Sequence, residues 1–232
     1  MTRNILIAMA VIPAIWLMIK VYQADKLEKE PVGFLIKLAL LGVVATVLAG
    51  VTETVGALVL QALFSRQPLI YLLLFYFGVV ALSEEGFKYL LLKNRTWRSP
   101  YFNCQFDGVV YAVFVSLGFA LWENIAYVLQ YGLATALVRA VTAVPGHACF
   151  GVFMGVWYGA AKRYELAGAE DTARIARRRA LLIPALLHGC YDFIATVDKT
   201  AYSLIFAAFV IVLFLLSYRL IRRASRNDGY IA

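Results

Sequence analysis

The sequence predicts an all-α, polytopic membrane helix bundle with about seven transmembrane helices, its N-terminus outside and its C-terminus cytoplasmic. Composition is the first reason. Of 232 residues, 62% are hydrophobic and 16% charged, and the mean hydropathy is +0.76. A soluble domain averages about 45–50% apolar and about 25% charged. The second reason is that the apolar residues gather into seven runs, each near the roughly 20 residues that a spanning helix needs. The third is that lysine and arginine fall into alternate connections between those runs.

The runs are 4–22, 33–52, 69–92, 107–131, 136–161, 180–198 and 201–219. The first follows Arg3 as a signal peptide would, but no small-residue cleavage site comes after it. Lys20 to Glu30 is instead a charged connector, so the run reads as a retained span. The fifth run contains Pro145-Gly146, where a break in the helix is expected. Behind that break His147 begins a row with Gly151, Gly155 and Gly159, a doubled small-xxx-small pattern that admits a close neighbouring helix. The polar stretch 162–179 mixes both charge signs and reads as a short interfacial helix. The last run has no ionisable side chain except Tyr202 and Tyr218, and behaves as a plain anchor. Residues 1–232 therefore form one integral-membrane domain. Three cysteines without framework spacing indicate no disulfide scaffold.

Counting Lys and Arg in alternate connections gives 17 on the cytoplasmic side and 4 on the other (Arg3, Arg66, Arg139 and Lys199), with Lys88 inside the membrane. This asymmetry accounts for the net charge of +8 without a nucleic-acid partner.

Inside the hydrocarbon the chain places Glu84, Glu85 and Lys88 on span three, Glu123 on span four, His147 on span five, and His188 and Asp192 on span six. At about 2.5–3.5 kcal/mol per charge, five such charges cost on the order of 10–15 kcal/mol before pairing. That approaches the whole net stability of a typical protein, about 5–15 kcal/mol. These groups must therefore meet one another, water or a cation. Both histidines of the chain belong to the set. The four acids against one lysine leave three formal negative charges for a divalent cation or for protons to balance. Glu84 and Lys88, and likewise His188 and Asp192, are four apart and share a helix face. Glu85 is rotated by about 100° from Glu84 and is free to do another job. By depth, at about 1.5 Å per residue, Glu84 and His188 lie roughly 13 Å from the cytoplasmic ends of their helices and His147 and Glu123 roughly 20–25 Å, with Glu123 too far out unless span four is tilted or begins later.

Water held near a glutamate base and two imidazoles suits amide hydrolysis, directly or around zinc. The H-E-x-x-H and G-x-S-x-G patterns are absent, and so is the Gly-x-Gly-Asp partner that an aspartyl protease would need beside Tyr191-Asp192. Both histidines occur as H-x-C, with Cys149 and Cys190, but residues two apart on a helix diverge by about 200°, so a thiol shared with its own histidine is disfavoured.

Taken in order, Glu84-Glu85-x-x-Lys88, Phe119-x-x-x-Glu123-Asn124, His147-x-x-x-Gly151 and His188-x-x-Tyr191-Asp192 resemble the motifs of PrsW-type intramembrane proteases. Tyr22-x-x-Asp25-Lys26-x-Glu28-Lys29-Glu30-Pro31 is similar to that family's N-terminal signature. The family is related to the CAAX prenyl-protease and bacteriocin-processing superfamily, in which a histidine stands where this chain has Glu123. The resemblance implies an endopeptidase of the bacterial cell membrane that cuts a membrane-anchored protein such as an anti-sigma factor at its first site. Glu84 or Glu85 would activate water, with His147 and His188 holding zinc or stabilising the oxyanion. Glu123 and Asp192 would be further ligands or orienting groups, and Lys88 and Asn124 supporting residues. A metal-free form of the same chemistry stays open. Two rivals remain at this level: a proton- or cation-coupled transporter, which also lines its path with such side chains, and a catalytically silent scaffold of the same fold.

Overall fold

The structure is a computed structural model that describes residues 3–197 and 200–231. Its elements are α1 (Arg3–Ala24), α2 (Val32–Phe64), α3 (Pro68–Leu73), a π-helical segment (Leu74–Ala81), α4 (Leu82–Thr96), α5 (Asp107–Tyr131), α6 (Leu133–Val141), α7 (Ala143–Leu166), α8 (Glu170–Thr196) and α9 (Thr200–Arg226). Among the described residues six helical stretches are long and apolar enough to cross a membrane: 3–24, 32–64, 68–96, 107–131, 133–166 and 200–226. The sixth expected run, 180–198, lies in α8 as far as Thr196; Val197 follows the helix in extended conformation, and residues 198 and 199 are outside the described residues. Its N-terminal part carries Glu170, Asp171, Arg174 and Arg177 to Arg179, and this keeps α8 out of the apolar class. α8 nevertheless runs the length of the bundle. Arg177 donates to Glu165 near one end, and the Thr196 hydroxyl donates to the Tyr76 hydroxyl near the other.

Three local expectations are corrected. α2 does not stop at residue 52 but continues to Phe64, because the apolar run resumes at Val55. At 33 residues it is about 50 Å long, more than the roughly 30 Å hydrocarbon layer requires. The break in span five falls at Thr142 (φ −120°, ψ −69°), not at Pro145-Gly146. Pro145 sits in the first turn of α7, where its missing N–H has no helical acceptor to lose. Finally, 162–179 is not a separate interfacial helix. It is the end of α7, a turn at Ala167 to Ala169 and the start of α8, tied together by Arg177 donating to Glu165 and Glu170.

The four basic connections do share one end of the bundle. Asn103 Nδ2 donates to Glu28 Oε2 at 3.1 Å, Ile231 N to Asn103 O at 2.8 Å, and Trp97 Nε1 to Glu165 Oε1 at 2.9 Å. α5 is the central helix, and every residue from Asp107 to Ala120 is buried. Its neighbours are α7, α2 and α1. The glycine row of α7 is what lets α7 close on α5. A Cβ on Gly151 would lie 2.9 Å from Ser116 Oγ and 3.0 Å from the Val113 backbone, and one on Gly155 would strike the backbone of Gly108 and Val109. The close approach sets the height at which His147, at the head of that row, faces α5.

Forcing the two helices apart should therefore be costly. Gly155→Leu is expected to lose about 1–3 kcal/mol of stability, read as a lower thermal midpoint in detergent. Gly33→Ala, whose added methyl would meet no atom within 4 Å, should leave the midpoint unchanged. Equal midpoints for the two variants would remove the α5–α7 contact from the account of the fold.

Candidate active site

The π-helical segment Leu74–Ala81 widens the rod just before Glu84, and such turns recur at functional sites. Immediately beyond it α4 turns Glu84, Glu85 and Lys88 into the bundle. Lys88 is fully buried. Its Nζ donates to Glu85 Oε1 at 2.7 Å and to Glu84 Oε2 at 3.2 Å, and it meets His147 Nδ1 at 3.1 Å. It also lies 3.8 Å above the Phe119 ring. An ammonium has three N–H groups and no lone pair, so all three are used, and His147 accepts at Nδ1. The proton of His147 then sits on Nε2, which reaches Glu123 Oε2 at 3.0 Å. Glu123 Oε2 also receives Arg139 at 2.8 Å. Arg139 Nε donates to Asn124 Oδ1 at 3.0 Å, and Asn124 Nδ2 donates to Ala10 O at 3.0 Å, which fixes the group to α1.

His188 stands between carboxylates. Its Nδ1 is 3.1 Å from Glu85 Oε1, and its Nε2 is 3.4 Å from Asp192 Oδ2. Carboxylates only accept, so this is the setting of an imidazolium. The ring stacks on Phe150 at 4.7 Å and stands edge-on to His147 at 5.2 Å.

All eight sequence candidates thus belong to one network. Glu123, despite its apparent depth, is brought into contact with His147 by the pairing of α5 with α7. Glu84 and Glu85 are both bound to Lys88, since i+3 and i+4 reach the same side chain, yet they end in different places. Glu84, Glu123, His147, His188 and Asp192 line a cavity of about 320 Å³, and Glu85 and Lys88 lie behind its wall. Cys149 packs with Phe150, Tyr191, Val210 and Leu213.

Two wall residues escaped the sequence reading. Arg139 lies within the run 136–161, yet it was assigned to an outer connection, and an arginine inside an apolar run was the available signal. Glu53 stood one residue past the expected end of span two, and the resumption of apolar sequence at Val55 would have kept it inside. Adding one acid and one cation leaves the formal balance as it was: five acids (Glu53, Glu84, Glu85, Glu123, Asp192) against Lys88 and Arg139 still differ by three, before any charge on His188.

Ligand atoms of Glu84, Glu85, His147 and His188 all lie within 4.8 Å of one another. Glu85 Oε2 is buried without a hydrogen-bond partner. Two imidazoles and two carboxylates suit zinc, which would draw its ligands to about 3.3 Å apart at ordinary bond lengths. The donor set fits the ion in kind, with Lys88 as a competitor for Glu84, Glu85 and His147, and with His188 required to give up a proton before a nitrogen could ligate. Glu123 and Asp192 stand outside this set, each on the Nε2 side of one histidine, where they orient the rings.

A family model described as PrsW family intramembrane metalloprotease matches residues 30–218. The chain is similar to Protease PrsW of Oceanobacillus iheyensis, with 30% identity over 230 residues, 96% of this chain and 97% of the relative. It is 31% identical to Protease PrsW of Clostridioides difficile over 212 residues, 90% and 86% of the two chains. Against Protease PrsW of Bacillus subtilis the identity is 33% over 193 residues, 82% and 83%. No solved structure matches the chain. The transporter reading gives way to proteolysis, since these relatives are proteases and the helices form a multi-pass bacterial membrane protein. A match that begins in the first connection, runs into the last helix and takes in every residue of the buried network except Ala10 means that this chain belongs to the PrsW family of intramembrane metalloproteases.

Proposed function

We propose that the chain hydrolyses a peptide bond of a membrane-anchored protein, of which an anti-sigma factor is the expected example, with Glu84 as the base that activates water. The observation that carries this reading is the difference between two adjacent glutamates. Glu84 opens on the cavity, whereas Glu85 is fully buried against Lys88 and His188 and faces no space for a substrate.

Water in the cavity beside Glu84 gives its proton to that carboxylate as its oxygen attacks the scissile carbonyl carbon. Charge then develops on the carbonyl oxygen, and the two histidines can donate to it once their Nε2–H groups turn from Glu123 and Asp192. As the tetrahedral carbon collapses, the C–N bond breaks and Glu84 returns the proton to the leaving nitrogen. A new carboxylate and a free amine result. Glu85 and Asp192 hold the His188 ring, and Glu123 with Arg139 holds His147. Lys88 keeps Glu84 and Glu85 at a fixed separation without entering the cavity. Zinc held by His147, His188 and one or both of Glu84 and Glu85 would supply a Lewis acid and bring the pKa of a bound water to about 7.

Cleavage of a co-expressed single-span substrate tests the base. Glu84→Gln keeps the shape of the side chain and should lower the rate by at least about 100-fold, the scale of general-base catalysis. Cleavage at the unaltered rate would take Glu84 out of the chemistry. Cys149→Ala combined with Cys190→Ala should cut normally, and loss of cleavage in a folded double variant would revive a thiol mechanism. Elemental analysis of purified protein should find about one zinc per chain. Chelation should abolish activity and added zinc restore it, whereas activity that survives complete metal removal would leave water activation to the side chains alone.

A further inference from the structure

The three helices that carry the glutamate and histidine pairs meet again at the basic end of the bundle. α4 holds Glu84 and Glu85, α7 holds His147 and α8 holds His188. Near their basic ends these helices enclose a recess of about 600 Å³. Its wall includes Lys93 of α4, Trp97 and Arg98 just beyond that helix, Lys162 and Glu165 of α7, and Arg177 of α8. Lys93 stands nine residues past Glu84 on the same helix, about 13 Å away. The recess shares no wall residue with the cavity beside Glu84.

Contacts around Trp97 and Glu165 draw the cations together. Lys162 Nζ lies 5.3 Å and the Arg177 guanidinium 5.7 Å from the centre of the Trp97 ring. Glu165 accepts from Trp97 Nε1 at 2.9 Å and from Arg177 at 2.7 Å, and stands 4.0 Å from Lys162 Nζ. Lys162 also donates to Trp97 O at 3.0 Å, and Arg177 turns its other nitrogen to Glu170, outside the recess. Among the described residues Lys93 and Arg98 form no ion pair. Four cations against Glu165 and Glu170 thus leave two positive charges without a partner in this group.

Membrane topology brings lysine and arginine to this end of the bundle. It does not direct four of them, from three helices, to one recess where like charges repel. The side chains of Lys162 and Arg177 are only 13% and 17% exposed, so salt and water screen them less than on an open surface. An anion in the recess would remove that repulsion. The N–H groups left for it are those of Lys93 and Arg98 and two of the three on Lys162. Arg98 offers the planar fork that matches a phosphate, and the two ammonium groups act as point charges. The depth suits a lipid headgroup. Lys162 is four residues, about 6 Å, from the end of α7, and Lys93 three residues, about 5 Å, from the end of α4. The headgroup layer adds about 5–7 Å to each side of the hydrocarbon, and tryptophan favours that boundary.

We propose that this recess binds the phosphate of an anionic phospholipid headgroup through Lys93, Arg98 and Lys162, and so ties together the basic ends of α4, α7 and α8. Basic pockets between spanning helices suit such headgroups. A soluble phosphate compound presents the same chemical group, and experiment separates the two sources. The inference is independent of which glutamate activates water and of any bound metal.

Thermal unfolding of the full-length, delipidated protein in detergent tests it. One sample receives phosphatidylglycerol in mixed micelles and a second phosphatidylcholine. A third receives sodium phosphate, compared with sodium chloride of equal ionic strength. At roughly a hundredfold excess over Kd, phosphatidylglycerol should raise the midpoint by about 5 °C, and phosphatidylcholine should leave it unchanged. A rise with phosphate as large as that with phosphatidylglycerol keeps the phosphate site but overturns the lipid as its source. Lys93→Gln combined with Arg98→Gln removes two charged donors, which should weaken binding at least about 100-fold and abolish the rise. Arg219→Gln combined with Arg226→Gln removes the same charge from exposed positions of α9 outside the recess, and should keep it. No rise with phosphatidylglycerol or phosphate, an equal rise with phosphatidylcholine, or the same response in both double variants overturns the proposal. Should the Lys93 and Arg98 variant fail to fold, native mass spectrometry of the unaltered protein decides. About one phosphatidylglycerol retained per chain in preference to phosphatidylcholine supports the site, and none overturns it.

Discussion

A charge held away from water has to find its counterpart within the protein, and Lys88 is where this chain meets that requirement. One ammonium with three N–H groups joins two glutamates of its own helix to a histidine of α7, over the face of Phe119 from α5. Removing one member of such a buried group leaves the others uncompensated, typically at about 3–5 kcal/mol. The remaining polar geometry follows from it. With His147 accepting at Nδ1, its Nε2 proton is directed to Glu123, and Glu123 is in turn held by Arg139. With Glu85 committed to Lys88 and His188, Glu84 is the carboxylate left facing open space.

The surrounding packing serves the same end. α5 is buried along most of its length, and the glycines of α7 let the two helices come nearly backbone to backbone. That closeness brings Glu123 and His147 to hydrogen-bonding distance, a contact that their spacing along the chain did not suggest. A bundle that must exclude lipid from a wet cavity needs such rigidity, because a loosely packed wall would admit hydrocarbon to the charges. The π-helical segment before Glu84 belongs to this design as well, with Tyr76 and Val80 forming part of the cavity wall.

Much of this was readable in the sequence, and the reasons are specific. Glu84 with Lys88 and His188 with Asp192 are pairs within one helix, and a period of 3.6 residues suffices to predict them. The histidine–glycine row announced a close helix contact, though not that α5 would be the partner. The composition of the loops announced a basic end, and the connections do gather there. What escaped lay at helix boundaries. Glu53 was lost because α2 outlasts its expected end. Arg139 was sent outside because the chain breaks at Thr142, a residue with no turn signature, where proline and glycine had pointed three residues later. The 162–179 stretch went wrong because charge of mixed sign describes a solvated hairpin as well as an interfacial helix.

The sequence by itself determined the class of protein, the approximate spans, the end at which basic residues collect and the set of ionisable side chains committed to the interior. Those properties depend on hydropathy and on contacts within a turn or two of one helix. Only the tertiary structure decided which acid meets which base: Lys88 with His147 across 59 residues, and Glu85 with His188 across 103. Such pairings depend on the rotation and height of each helix against its neighbours. Side-chain volume and glycine contacts throughout the bundle set those quantities together, and no local stretch of sequence encodes them.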